Sequence, residues 1–217
     1  MQVALGTRQA SWPLLLAVVF TWWATVWTPL GSALVPALAD RMERRAGAWR
    51  TLRSRPLSPA ALYAAKLAIV SLQTLAGAAV MAAVTGVVGA ALAPGPVPIG
   101  RLLMVVLLPW LCSLPLLVVG LWVSSVAGLW ASAGLGVAGM VAGVLTAEGS
   151  RWVYVPWAWP VRAAIPAAGA HASGVPLKPD SALANFGLVP PVVAVSLACA
   201  AAFAVLGTLW FSRREVR

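Results

Sequence analysis

Residues 102–147 read LLMVVLLPWLCSLPLLVVGLWVSSVAGLWASAGLGVAGMVAGVLTA, 46 residues without one charged side chain. A helix crosses the ~30 Å hydrocarbon core of a bilayer with about 20 residues. At 1.5 Å per residue this run would extend about 69 Å as one helix. It must therefore fold back, and Ser124, Ser125 and Gly128 mark the turn, which divides it into spans of about Arg101–Val123 and Leu129–Thr146. Working outward, residues 9–39, 67–100 and 181–212 are also free of charge. They place further spans at about Pro13–Ala39, Pro59–Ala93 and Phe186–Phe211. Lipid offers the backbone no hydrogen bonds, so a spanning segment is a helix or part of a closed barrel, and none of these runs alternates as barrel strands do. The expected fold is all-α: a polytopic integral membrane protein with five transmembrane helices in one domain over residues 1–217.

Composition agrees. Hydrophobic residues make up 61% of the chain and charged residues 9%, where a soluble domain carries roughly a quarter charged. A net charge of +10 suggests nucleic acid only until the bases are located. They lie between apolar runs, so no nucleic-acid partner is expected. Cys112 and Cys199 sit inside separate apolar segments, away from metal-ligand spacing. They read as core fillers, with neither a disulfide framework nor a metal site implied.

Basic residues favour the cytoplasmic side. Arg41, Arg44, Arg45, Arg50, Arg53, Arg55 and Lys66 cluster between the first two spans, and Arg213, Arg214 and Arg217 end the chain. Placing both regions inside leaves five bases outside: Arg8, Arg101, Arg151, Arg162 and Lys178. Residues 40–58 and the C-terminus are thus expected in the cytoplasm of a multi-pass protein of the cell membrane. Five spans with that orientation put residues 1–12 outside, so either the short N-terminus is translocated unaided or a further apolar helix precedes Met1, and the second is the expectation. Cleavage after Ala37-Leu38-Ala39 as a signal peptide would put both basic regions outside, against the charge tendency.

Residues 40–66 carry the most local information. Pro56 ends any helix before it, because it disfavours helical geometry at Arg55 and has no N–H. Ser58 is a helix cap with Pro59 at the first position. Asp40–Ser54 is therefore expected as a short helix near the membrane surface, with Met42, Ala46, Trp49 and Leu52 as an imperfect apolar stripe. Its arginines suit anionic lipid heads or a protein partner.

Glu43, then Trp49-Arg50-x-Leu52-x-Ser54-x-Pro56-Leu57-Ser58, then Leu62-Tyr63-x-x-Lys66 resembles the segment after the second span of ABC-2 type transporter permeases, closest to the lantibiotic or bacteriocin-immunity permeases. Pro156-Trp157-Ala158-Trp159-Pro160 is similar to the aromatic-proline element those permeases carry before their last span. The resemblance implies a six-span fold whose first span is missing here. It also implies a coupling helix, in which Glu43, Trp49, Arg50, Leu52, Ser54, Pro56 and Ser58 meet a separate ATPase, with Tyr63 and Lys66 on the helix that follows. Partners are then an ABC ATP-binding subunit, which holds ATP and Mg²⁺, and a second permease copy or paralogue. The cargo would be an amphipathic compound such as a peptide antibiotic, moved outward.

Residues 151–180, broken by five prolines, do not span. Trp152, Tyr154, Trp157 and Trp159 suit the headgroup zone, which favours an interfacial anchor over a re-entrant lid in which Pro156, Trp157, Trp159 and Pro160 form an extracellular gate. Gly128, Ser132, Gly136, Gly139 and Gly143 set small residues at close-packing intervals, more readily within the chain than across a dimer. Glu148 and Arg151 are placed for an i,i+3 salt bridge at the outer boundary, and His171 stands alone. Trp22, Trp23 and Trp27 read as packing or lipid-facing rather than as a route for substrate.

No cofactor is expected in this chain, and it is not read as an enzyme. A phosphate-binding G-x-x-x-x-G-K-S/T loop is excluded because neither Lys66 nor Lys178 follows a glycine. No Asp or His falls within a span, which disfavours an intramembrane enzyme or a proton-coupled carrier. The competing reading is a non-transporting membrane scaffold or sensor anchor.

Overall fold

A computed structural model describes residues 11–45, 58–178 and 180–214. The described chain is all-helical apart from one isolated bridge, Ala170 to Pro176. Four helical stretches among the described residues are long and apolar enough, by length and composition, to cross a membrane: α1 (Trp12–Arg45), α2 (Ala60–Leu92, its first turn starting at Pro59), α4 (Leu114–Thr146, two arms joined at Gly128) and α6 (Val189–Arg214, whose apolar stretch Phe186–Trp210 begins in the 3-10 turn ahead of it). The shorter apolar α3 (Ile99–Cys112) precedes α4, and α5 (Ala158–Ala168) precedes α6. The protein is a polytopic helical membrane protein.

α1 contains one π-helical turn, Trp23–Trp27. The wide turn falls just ahead of Pro29, which has no N–H to bond Thr25 and whose ring would crowd that residue's carbonyl in an ordinary α-turn. The Trp23 carbonyl accepts both the Thr28 N–H, five residues on, and the Thr28 hydroxyl at 2.7 Å. α1 then continues unbroken through residue 45. Residues 40–45 therefore extend the first span and do not begin a separate surface helix. Nothing between Ala39 and Arg45 breaks a helix, and Asp40 bonds Arg44 one turn on.

The span expected at residues 101–123 is interrupted at Ser113, where φ is −88° and ψ −6°. Pro109 and Pro115 flank the break, each removing a helical N–H, and the Ser113 N–H is shared between the carbonyls of Pro109 and Trp110 at 3.0 and 3.1 Å. α4 then reverses at Gly128, with φ 81° and ψ −173°. The reversal brings Ser132 Oγ to 3.5 Å from the Gly120 carbonyl of the opposite arm. That backbone conformation is essentially confined to glycine. Gly128 accordingly turns the chain and takes no part in helix packing, and nothing would lie within 4 Å of a Cβ there.

α1 packs most extensively against the α4 hairpin. Gly120 and Gly136 leave no room for a Cβ against Ser32 and Ala33, and the Ser132 hydroxyl donates to the Ala33 carbonyl at 2.8 Å. Small residues allow this approach, which gains dispersion contacts where no hydrophobic driving force exists between helices in lipid. α2 and α6 lie outermost, with Val80, Val87, Leu92, Val205, Leu206 and Leu209 exposed, as a hydrocarbon solvent permits.

Candidate functional site

Two polar clusters close opposite ends of the helical bundle. At the basic end, Asp40 is 3% exposed and its Oδ2 lies 2.7 Å from Arg44 Nε. Asp40 and Arg44 share a helix face by their i,i+4 spacing. From α2, Lys66 reaches Asp40 Oδ1 at 3.5 Å and also pairs with Glu43. Arg44 Nη2 donates to the Ser125 carbonyl at 2.8 Å. That carbonyl is in the last turn before Gly128, where helical partners run out. Two acids and two bases thus join α1, α2 and the tip of the α4 hairpin.

The helix carrying Lys66 is anchored beside this cluster. Ser58 Oγ accepts from the Ala61 N–H at 3.2 Å with Pro59 in the first turn, so the cap satisfies a donor that would otherwise be orphaned. Tyr63 is buried, and its ring and hydroxyl fill the space a side chain would need at Gly207 of α6. Glu43, Ser58, Tyr63 and Lys66 therefore gather at one end of the bundle. Trp49, Arg50, Leu52, Ser54 and Pro56 lie outside the described residues. Glu43 points inward to Lys66. The roles of Asp40, Arg44 and Ser125 escaped sequence reading, although the Asp40–Arg44 spacing was a signal in plain view.

At the other end, the Trp/Pro segment is buried in protein. Ten of the eleven α5 residues are buried, including Trp159 and Pro160, while Pro156 and Trp157 are half-buried. Trp159 Nε1 donates to the Trp152 and Val153 carbonyls at 3.1 and 3.2 Å. Gly139 and Gly143 admit the Trp157 side chain and backbone with no space for a Cβ. The interfacial-anchor reading therefore gives way for these residues, and Tyr154 alone among the four aromatics is openly exposed, at 84%. α5, with 11 residues, is too short to span and is surrounded by protein.

Glu148 bonds His171 Nδ1 at 2.8 Å and the Ala172 N–H at 2.7 Å. Glu148 pairs with His171 and not with the expected Arg151, because the helix stops at Thr146 and Gly149 is extended, so 148 and 151 do not share a helical i,i+3 face. His171 consequently has a partner after all. Arg162 donates to the Ala147 carbonyl at 3.1 Å and lies 5.7 Å from the Trp152 ring centroid, a cation–π distance. Burial pushes its guanidinium below the ordinary arginine value, and Glu148 partly restores it.

Arg101 Nε donates to the Ala167 carbonyl at 2.9 Å. Arg44, Arg162 and Arg101 thus each close a helix C-terminus: the two arms of α4, and α5. Cations there satisfy free carbonyls and oppose the negative end of the helix dipole. Among the described residues no group of three or more His, Cys, Asp and Glu could hold a metal.

The arrangement defines an integral membrane protein with an ionic cluster at one end of the bundle and the short, buried helix α5 at the other. The model of the ABC-2 family transporter proteins matches residues 3–143, and the chain belongs to that family. It is therefore a membrane transport component that works with an ABC ATP-binding partner and is not itself the ATPase. No curated protein and no solved structure matches the chain.

Proposed function

We propose that the chain is the membrane-spanning subunit of an exporter whose ATPase docks on residues 40–58 at the cytosolic face. ATP and Mg²⁺ belong to that ATPase, and a second permease copy or paralogue completes the pathway. Closure of the ATPase pushes on the segment after Arg45, and the displacement enters the bundle through Glu43, Asp40 and Arg44. Lys66 carries it to α2, and Arg44 carries it to the hairpin tip at Ser125. The buried ionic joint at the root of this segment is the observation that supports the reading most. The likeness to lantibiotic-immunity permeases supports an amphipathic peptide antibiotic as cargo and outward movement as its direction.

The test is purification of the tagged chain from its native host in mild detergent. An ABC ATPase is expected to co-purify, and Trp49→Ala is expected to release it while the spans still insert. A membrane-impermeant maleimide added to intact cells is expected to leave Ser54→Cys unlabelled in a background lacking Cys112 and Cys199. Absence of any ATPase, or labelling of Ser54→Cys from outside, refutes the proposal.

A further inference from the structure

A cavity of about 200 Å³ lies between α1 and α2, with the α3–α4 break at its back. Its walls include Trp27 and Gly31 of α1, Gln73 and Gly77 of α2, and Trp110 and Ser113 at the break. Three local irregularities meet there: the π-turn, the interruption at Ser113, and glycines facing from both helices. At Gly31 and Gly77 nothing would lie within 4 Å of an added Cβ, so the glycines keep this space open. Trp27 is more than half exposed at its edge.

Among the described residues, the side-chain polar groups of the cavity are satisfied except for the Trp27 indole N–H and the Gln73 amide. Trp110 Nε1 donates to Thr74 Oγ1 at 3.2 Å, Ser113 Oγ donates to the Trp110 carbonyl at 2.7 Å, and Ser32 Oγ donates to the Pro29 carbonyl at 2.9 Å. Gln73 is exposed and its amide bonds no described residue. It stands seven residues beyond Lys66, about 10 Å further along the helix, where lipid tails cannot hydrogen-bond it. An amide left bare in hydrocarbon is costly, and its location at the wall of an open cavity indicates what satisfies it.

We infer that this cavity binds the uncharged, aromatic or branched-aliphatic part of an amphipathic cargo, held by apolar contact with Trp27 and Trp110 and by a hydrogen bond from its amide or hydroxyl to Gln73. No charged side chain lines the cavity, which excludes an ionised group in favour of a neutral one. An acyl chain fills such a space but leaves the amide unpaired. The volume suits a side-chain-sized group and not a whole helix of a second copy. The inference rests on the transporter reading and names the site from which cargo is taken.

The probe is N-acetylphenylalaninamide bearing a ring diazirine, photolysed with the full chain in lipid nanodiscs and mapped by mass spectrometry. Label is expected on Trp27 and on α2 around Gly77. Loss of the hydrogen bond in Gln73→Leu, about 1.4 kcal/mol, is expected to lower labelling about tenfold. Gly31→Leu with Gly77→Leu fills the space and is expected to abolish it. Both helices gain propensity from that change, and a melting curve unchanged or shifted upward confirms folding. Even labelling of lipid-facing Leu206 and Leu209, undiminished labelling in the filled variant, or a disulfide between two copies through Gly77→Cys overturns the inference. Specific labelling of a chain that retains no ATPase upholds the cavity and removes the transporter reading, so the two failures are distinct.

Discussion

Replacing Lys66 by Met tests the ionic joint directly. Lys66 is 10% exposed and lies 3.5 Å from an Asp40 carboxylate that is 3% exposed. At an effective dielectric constant of 20, that one pair is worth about 5 kcal/mol of gross Coulomb attraction. Desolvation of both groups offsets much of it, and removing one partner of a buried pair typically costs about 3–5 kcal/mol because the other charge stays buried. Arg44 remains on Asp40 at 2.7 Å but is 51% exposed and therefore partly screened. The expected loss for Lys66→Met is accordingly about 3 kcal/mol, at the lower end of the range for breaking a buried pair. The assay is reversible unfolding by SDS in bicelles, followed by tryptophan emission. Asp40→Asn with Lys66→Met removes both charges and should be less harmful than the sum of the single changes by more than about 1 kcal/mol, the scale of coupling between contacting residues. A Lys66→Met protein as stable as the parent, or strictly additive effects in the double variant, refutes the claim that the joint is a coupled unit.

The glycines of the α4 hairpin should divide sharply in the same unfolding assay. Gly139→Ala and Gly143→Ala drive a Cβ into Trp157 and should each cost about 1–3 kcal/mol, and Gly128→Ala should cost about as much through its backbone conformation alone. Gly31→Ala and Gly77→Ala meet open space and should be neutral or stabilising by up to about 1 kcal/mol. Equal effects across the two sets would contradict the packing described. Arg101→Met uncaps the C-terminus of α5 and should cost about 1.5–3 kcal/mol, the range for a hydrogen bond to a charged group. Hydrogen exchange at Gly169 and its neighbours should rise, and unchanged protection there would count against the cap.

Helices were legible because lipid leaves the backbone so few alternatives. Charge-free runs of sufficient length announce them, and Gly128 announces the turn within the longest run. Hydropathy is blind to the break at Ser113, since Pro109 and Pro115 count as neutral residues in an apolar window while each deletes a hydrogen bond. Burial of the Trp/Pro segment was hidden for a related reason. Tryptophan between prolines suits the headgroup zone and a protein interior equally, and only the space made by Gly139 and Gly143 on a different helix decides between them. Pairing across the fold was out of reach as well. Asp40 meets Lys66 because α1 and α2 lie side by side, and Glu148 meets His171 because Gly169 and Gly174 turn the chain back. Neither distance follows from spacing along the sequence.

α1 is the element that makes the two ends one mechanical system. Its last turns carry three of the four charges of the joint. Its middle is clasped by direct contact with Gly120, Ser132 and Gly136, and its first turns pack Leu16 and Phe20 into the core beside Val161 and Ile165 of α5. A close-packed contact of small residues resists sliding, because any relative shift brings side chains into backbone where no Cβ fits. The basic half of α1 and the α4 hairpin must consequently move as one piece. The π-turn at Trp23–Trp27 lies above that clasp, where wider i→i+5 backbone bonds replace the α-helical ladder, supplemented by the Thr28 hydroxyl and by a bond from Trp23 Nε1 to the Val106 carbonyl of α3 at 3.0 Å. If the proposed docking displaces Asp40, the motion would therefore first meet an irregular section of α1 at the level of the cavity, next to the core that α1 shares with α5.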